Sequence, residues 1–196
     1  MQSHSRALKI KLEVLGENHP YTACSYNNIG VTQHQLGDYT SALQSHQRAL
    51  EIWRERLEEN HPETAVSYNN IATLPRDLGD YISALQSHQR ALKSRLEVLG
   101  ENHRDTASSY FSVGNVEFEM MGYSQVLKSY QRALGITREI LGDNHLLTAD
   151  CHYHRGSTQR SLIDYTSAVQ SYKRALEIKL KALGESHLNT ALRAIM

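Results

Sequence analysis

The stretch Leu43-Gln-Ser-His-Gln-Arg-Ala-Leu50 occurs a second time, letter for letter, at Leu85 to Leu92, and this recurrence decides the fold. It weakens to Leu-Lys-Ser-Tyr-Gln-Arg-Ala-Leu at 127–134 and to Val-Gln-Ser-Tyr-Lys-Arg-Ala-Leu at 169–176. The chain opens in the same register, with Gln2-Ser-His-Ser-Arg-Ala-Leu8. Successive copies lie 42 residues apart. The same interval separates His19, His61, His103, His145 and His187, then Thr22, Thr64, Thr106, Thr148 and Thr190, then Ala23, Ala65, Ala107, Ala149 and Ala191. A fixed period of this length marks a stack of repeated supersecondary units.

Within one unit, Tyr26, Ile29 and Gly30 form one apolar face at helical spacing, and Ala42, Leu43, His46, Ala49 and Leu50 form another. Between them Leu36-Gly-Asp-Tyr39 reads as a helix stop and restart, with Gly37 taking the left-handed conformation. After the second helix, Gly16 of Leu15-Gly-Glu-Asn-His-Pro20 ends one helix and Pro20 opens the next. Glu58 replaces that glycine once and is expected to reshape its loop. The expected fold is all-α, a solenoid of antiparallel helix pairs, because a lone pair cannot bury its apolar face. The single array divides into a second helix at 1–20, full repeats at 21–62, 63–104, 105–146 and 147–187, and the start of a further repeat at 188–196. Neither end carries a polar cap, so the chain reads as a segment of a longer array or as one that covers its ends by self-association.

Composition excludes several functions. The 196 residues carry 21 Lys+Arg against 21 Asp+Glu, interspersed, so no field exists to hold nucleic acid or an anionic membrane. No apolar run has the length of a signal peptide or a membrane span. Two cysteines, Cys24 and Cys151, build no disulfide framework and no CxxC pair, which points to a reducing, cytoplasmic setting. The eleven histidines are mostly repeat positions, and His152 and His154 diverge on a helix, so no metal or other cofactor is expected. No HExxH, GxSxG or phosphate loop is present, and the chain reads as no enzyme.

The elements Tyr26-Asn-Asn-Ile-Gly30, Leu36-Gly-Asp-Tyr39, Ala42 and Arg48-Ala-Leu50 resemble tetratricopeptide repeats. The 42-residue length and the connector Gly-Glu-Asn-His-Pro-x-Thr-Ala are similar to those of the kinesin light chain group. The resemblance covers nearly the whole chain and implies a right-handed superhelix whose first helices line a concave groove for extended peptides. The chain departs from that family in places. It has no heptad segment to join a motor heavy chain. Pro75 stands mid-helix, removes a backbone donor at a cost of about 3 kcal/mol, and is expected to kink helix 63–78. His152 and Arg155 replace the Tyr and Ile of the core face, and Met121-Gly122 shifts the turn glycine by one, so the C-terminal half is expected to be the less stable.

Helical spacing puts Cys24, Asn27, Val31, His34 and Gln35 on one stripe, distinct from the core face. Its residues vary from unit to unit while the core repeats, as a ligand-reading surface does, although drift on an exposed face gives the same pattern. The candidate binding residues are Asn27, His34, Asn69, Thr73, Arg76, Phe111, Asn115, Phe118, Tyr153 and Arg160. The resemblance implies that Asn27 and Asn69 bond a peptide backbone, which an amide suits because it both donates and accepts. It leaves Asn28 and Asn70 structural. Phe111 and Tyr153 occupy the Asn position in later units, and with Phe118 they either form a pocket for a large apolar side chain or pack on neighbouring helices. Kinesin light chains grip acidic peptides that carry a tryptophan. Here Arg76, Arg160 and His34 favour such a ligand, whereas Asp77, Glu119 and Asp150 oppose it. Trp53, whose equivalents are Lys11, Arg95, Thr137 and Lys179, is read as exposed, either free to anchor a partner or lying across its own helix. Peptide-binding adaptor or scaffold is the leading function. The alternative is a structural or self-associating segment without a groove ligand.

Overall fold

The computed structural model describes residues 2–57, 61–77 and 79–183, and among these every regular element is an α-helix. A second-type helix α1 (Gln2–Leu15) leads. Four pairs follow, α2 (Pro20–Gln35) with α3 (Tyr39–Leu57), α4 (Pro62–Asp77) with α5 (Tyr81–Leu99), α6 (Arg104–Glu119) with α7 (Tyr123–Leu141), and α8 (Leu146–Ser161) with α9 (Tyr165–Leu183). Every first helix has 16 residues and every second helix of a pair has 19. The chain falls into two compact units, 1–100 and 101–196. Glu58 and segment 188–196 lie outside the described residues.

Each pair is antiparallel. In the first, Ala23 near the start of α2 packs with Ala49, Ile52 and Trp53 near the end of α3. Near the turn, Ser45 donates to Gln33 Oε1 at 2.7 Å. Small residues let the helices approach closely, with Ala23, Ala42, Ala49, Ala65, Ala84 and Ala91 fully buried in the first unit. Gly30 leaves the hollow that His46 fills, since a Cβ there would meet the imidazole at 2.8 Å. Gly114 does the same for Tyr130, and Gly156 for Tyr172.

The periodic histidine caps a helix. Backbone N–H groups of Tyr21, Glu63, Asp105 and Leu147 donate to Nδ1 of His19, His61, His103 and His145 at 3.1–3.2 Å, meeting one of the donors that a helix start leaves open. The periodic threonine ties that start to the preceding helix end. Thr22 donates to the Gly16 carbonyl at 2.9 Å and Thr148 to the Gly142 carbonyl at 3.0 Å, with both glycines in the left-handed region. Arg48 pairs with Glu17 at 2.6 Å and Arg132 with Glu101 at 2.8 Å, each fastening a connector to the next second helix.

The turns inside the pairs follow one geometry with unequal residues. Gly37 and Gly79 hold φ of 79° and 82°. The same position is Met121 at 59° and Ile163 at 65°. Asp38, Asp80 and Asp164 then cap the second helix by accepting from the N–H of Ser41, Ser83 and Ser167, whereas Gly122 gives α7 no side-chain cap.

One expectation changes. Trp53 is core, 1% exposed, because Ala23 and Ala49 leave room for an indole beside Ile52. Helix α4 continues through position 75 to Asp77 and keeps the 16-residue length of the other first helices. His152 does take a core position, and Arg155 beside it donates to Ser171 Oγ at 3.2 Å and lies 3.4 Å from His152 Nδ1.

Candidate functional site

In the first unit the residues of interest lie on α2 and α4. Asn70 Nδ2 donates to Asn27 Oδ1 at 2.9 Å, and His46 Nδ1 lies 3.0 Å from the same oxygen. An oxygen already accepting from an amide accepts from the imidazole too, so His46 carries its proton on Nδ1. Burial, aided by the charge of His34, holds the His46 pKa down to about 4 and keeps the ring neutral. Asn27 is therefore a clamp between successive first helices, with Asn70 as its partner. A ligand can use only its amide nitrogen.

In the second unit the equivalent trio is Phe111, Tyr130 and His154, each 84 positions on from Asn27, His46 and Asn70. Phe111 meets His154 edge-on with centroids 4.9 Å apart and lies 5.5 Å from Tyr130, while Tyr130 and His154 are 5.6 Å apart. One contact geometry thus joins successive repeats within each unit in two chemistries, amide with imidazole in the first and ring with ring in the second. Phe111 packs against the core of Ala133, Leu134 and Cys151. Asn115 is turned inward, accepting from the Tyr130 hydroxyl at 2.8 Å.

The remaining candidates separate. His34 rests on Tyr39 with centroids 5.5 Å apart, and Phe118 rests on its counterpart Tyr123 at 5.7 Å, so Phe118 pairs across its own turn. The Thr73 hydroxyl donates to the Asn70 carbonyl at 2.7 Å. Asn69 and Arg76 are half-buried, and Arg160 is exposed. Tyr153 is 49% exposed, with one side of its ring near His154 and Tyr172 and the Lys179 ammonium 5.7 Å from its centroid. Lys179 also pairs with Asp150 at 2.9 Å, which quenches the charge expected to repel an acidic ligand.

One repeated interaction was readable in the sequence and missed. Ser45, Ser129 and Ser171 donate at 2.7 Å to Gln33, Glu117 and Gln159. The four-fold serine at this register is the signal. In the second full repeat the acceptor position is Pro75, which has no amide or carboxylate to offer.

Cys151 is fully buried, its thiol pushed up to about 12 chiefly by burial, and Cys24 is half-buried and raised for the same reason, so neither suits nucleophilic work. Among the described residues no three His, Cys, Asp or Glu side chains gather as metal ligands, and no described helix is long and apolar enough to cross a membrane.

No curated protein matches the sequence. BtubC (BKLC) from P. vanneervenii has a similar fold, with a TM-score of 0.83 at 21% identity over 92% of this chain and 72% of that one. The nearly identical TPR-like repeats of a putative kinesin light chain from Podosopora anserina superpose at 0.77 with 13% identity, over 93% and 86% of the two chains. The apo form of RapI gives 0.78 at 19% identity, over 89% and 61%. The tetratricopeptide repeat family model matches residues 2–55, 34–95, 72–136 and 114–181. With that match spanning nearly every helix pair, the chain belongs to the tetratricopeptide repeat family.

Proposed function

We propose that the chain is a non-catalytic interaction module whose first helices bind an extended segment of a protein partner. One observation carries this reading. On the first helices of the four described pairs the residues that never change are fully buried, Thr22 and Ala23 with their equivalents, whereas the position of Asn27, Asn69, Phe111 and Tyr153 and that of His34, Arg76, Phe118 and Arg160 each carry three residue types and keep contact with solvent. Beside them the half-open Tyr153 ring, with the Lys179 ammonium 5.7 Å from its centroid, offers a surface suited to an apolar side chain. The free thiols Cys24 and Cys151 support a reducing, cytoplasmic setting.

The test is selection of extended peptides from a display library on the purified chain. Enrichment of one motif is expected, with affinity falling about tenfold, near 1.4 kcal/mol, on Tyr153→Ala or Asn69→Ala while helicity is unchanged. Asn27→Ala is the wrong control, because it also breaks the clamp to Asn70 and His46. A motif bound equally by all variants, or no enrichment, would overturn the assignment.

A further inference from the structure

The fourth full repeat departs from its predecessors where α7, α8 and α9 meet. In the first and third full repeats the connector carboxylate holds the arginine of the next second helix, Glu17 with Arg48 at 2.6 Å and Glu101 with Arg132 at 2.8 Å. The equivalent residues here are Asp143 and Arg174. The shorter Asp143 pairs instead with Arg138, at 2.6 Å, and Arg174 pairs with Glu177 of its own helix, at 3.1 Å. No connector carboxylate reaches Arg174, although its charge still acts on Asp143.

A third guanidinium joins them. Arg155 stands where the other first helices carry Ile29, Ile71 and Val113, and it is half-buried. Its hydrogen-bond partners are the Ser171 hydroxyl at 3.2 Å and Nδ1 of His152 at 3.4 Å, an imidazole kept neutral by a pKa of about 4. No carboxylate among the described residues pairs with it. Burial, and then the charge of Arg138, hold the Arg155 guanidinium below its ordinary pKa. The His152 ring lies in the field of Arg155, Arg174 and Arg138, with Asp143 opposing them, so the three guanidiniums form one cluster. A half-buried cation beside a second cation is costly unless an anion joins them.

Donor chemistry selects the anion. Arg155 keeps Nη1 unbonded, Arg138 both of its Nη groups, and Arg174 its Nε and Nη2. A planar carboxylate fits one guanidinium fork, whereas a phosphoryl group brings three oxygens and close to two negative charges. We propose that Arg138, Arg155 and Arg174 form a binding site for a phosphoryl group at the junction of α7, α8 and α9. None of the three is among the first-helix positions proposed to hold a peptide, so either reading can fail without the other.

Inorganic phosphate, exchanged for chloride at constant ionic strength, tests it on the whole 196-residue chain. The thermal midpoint is expected to rise saturably, and the arginine and His152 resonances to shift along the same binding curve. Arg155→Val installs the residue type of Val113, and Arg138→Leu that of Leu96, so both variants are expected to keep their helical circular dichroism and to bind about tenfold more weakly. Lys128→Gln removes a positive charge from an exposed position of α7 and is expected to bind as the wild type does. Acetate is expected to give no saturable shift. A short peptide bearing phosphoserine separates the two sources of the group: tighter binding than inorganic phosphate marks a phosphorylated side chain, and binding no tighter marks the free ion. Protection that grows without saturation, equally in all variants, is the exclusion of a kosmotropic ion from the surface and overturns the proposal. So does saturable binding that Arg155→Val and Arg138→Leu both retain, and so does acetate binding as tight as that of phosphate.

Discussion

Whether a glycine helps or harms this chain depends on the ring opposite it. A Cβ on Gly114 would lie 2.8 Å from Tyr130 Cε1, so Gly114→Ala is expected to lower stability by about 1–3 kcal/mol, read from denaturant unfolding. Gly135 sits mid-helix in α7, exposed and with nothing within 4 Å of such a Cβ. There the same substitution is expected to raise stability by about 0.5–1 kcal/mol, because alanine restricts the unfolded chain and suits a helix. The opposite signs separate a packing role from a conformational one. Residue-level roles were the least legible part of the sequence. The histidine period was plain, but an imidazole is an uncommon helix cap and nothing in the spacing announces that use. The sequence points Asn27 to a ligand and Asn70 to the scaffold, because single-helix periodicity cannot show that their side chains meet across two repeats.

The four turn-and-helix elements differ in how well local chemistry agrees with the shared geometry. Met121 and Ile163 adopt the left-handed conformation with a Cβ, which costs roughly 1–2 kcal/mol each, and both side chains are more than 70% exposed, so little packing offsets it. Ile163→Gly is expected to stabilise by about 1 kcal/mol. The double change Met121→Gly with Gly122→Asp is expected to add more, because it also supplies the cap that α7 lacks, and thermal unfolding followed by circular dichroism checks both. In α4, Pro75→Gln restores a backbone donor and the acceptor that Gln33 provides to Ser45. It is expected to raise stability by about 2–3 kcal/mol without changing helix content. Element type and limits were legible because glycine, proline and the core alanines recur at fixed intervals. Whether α4 runs on past Pro75 to Asp77 was not, since a local cost of about 3 kcal/mol does not by itself end a helix.

Across the molecule, acid acts through buried imidazoles. His46, His88 and His152 are held down to about 4, mainly by burial, and His154 is lowered for the same reason. An unfolded histidine takes a proton near pH 6.5, so between about 6.5 and 4 the unfolded chain binds more protons than the folded one. Their contribution is complete above about pH 6.5, falls as the pH drops and is gone below about 4. The urea midpoint is therefore expected to fall steadily over that window, and His46→Gln with His88→Gln is expected to flatten the profile. The solenoid itself was legible in the sequence, since a 42-residue period admits few other folds. The junctions of the first two and of the last two full repeats were not, because they rest on pairs 43 residues apart, Asn27 with Asn70 and Phe111 with His154. Those two pairs carry a rule of assembly. Each of these two junctions matches a plug and a socket of one chemistry, so a repeat that ends in one is expected to mate poorly with a repeat that opens in the other. Shuffled arrays would then obey an order, with amide-ended repeats mating poorly with ring-ended ones even though their helices are interchangeable in outline.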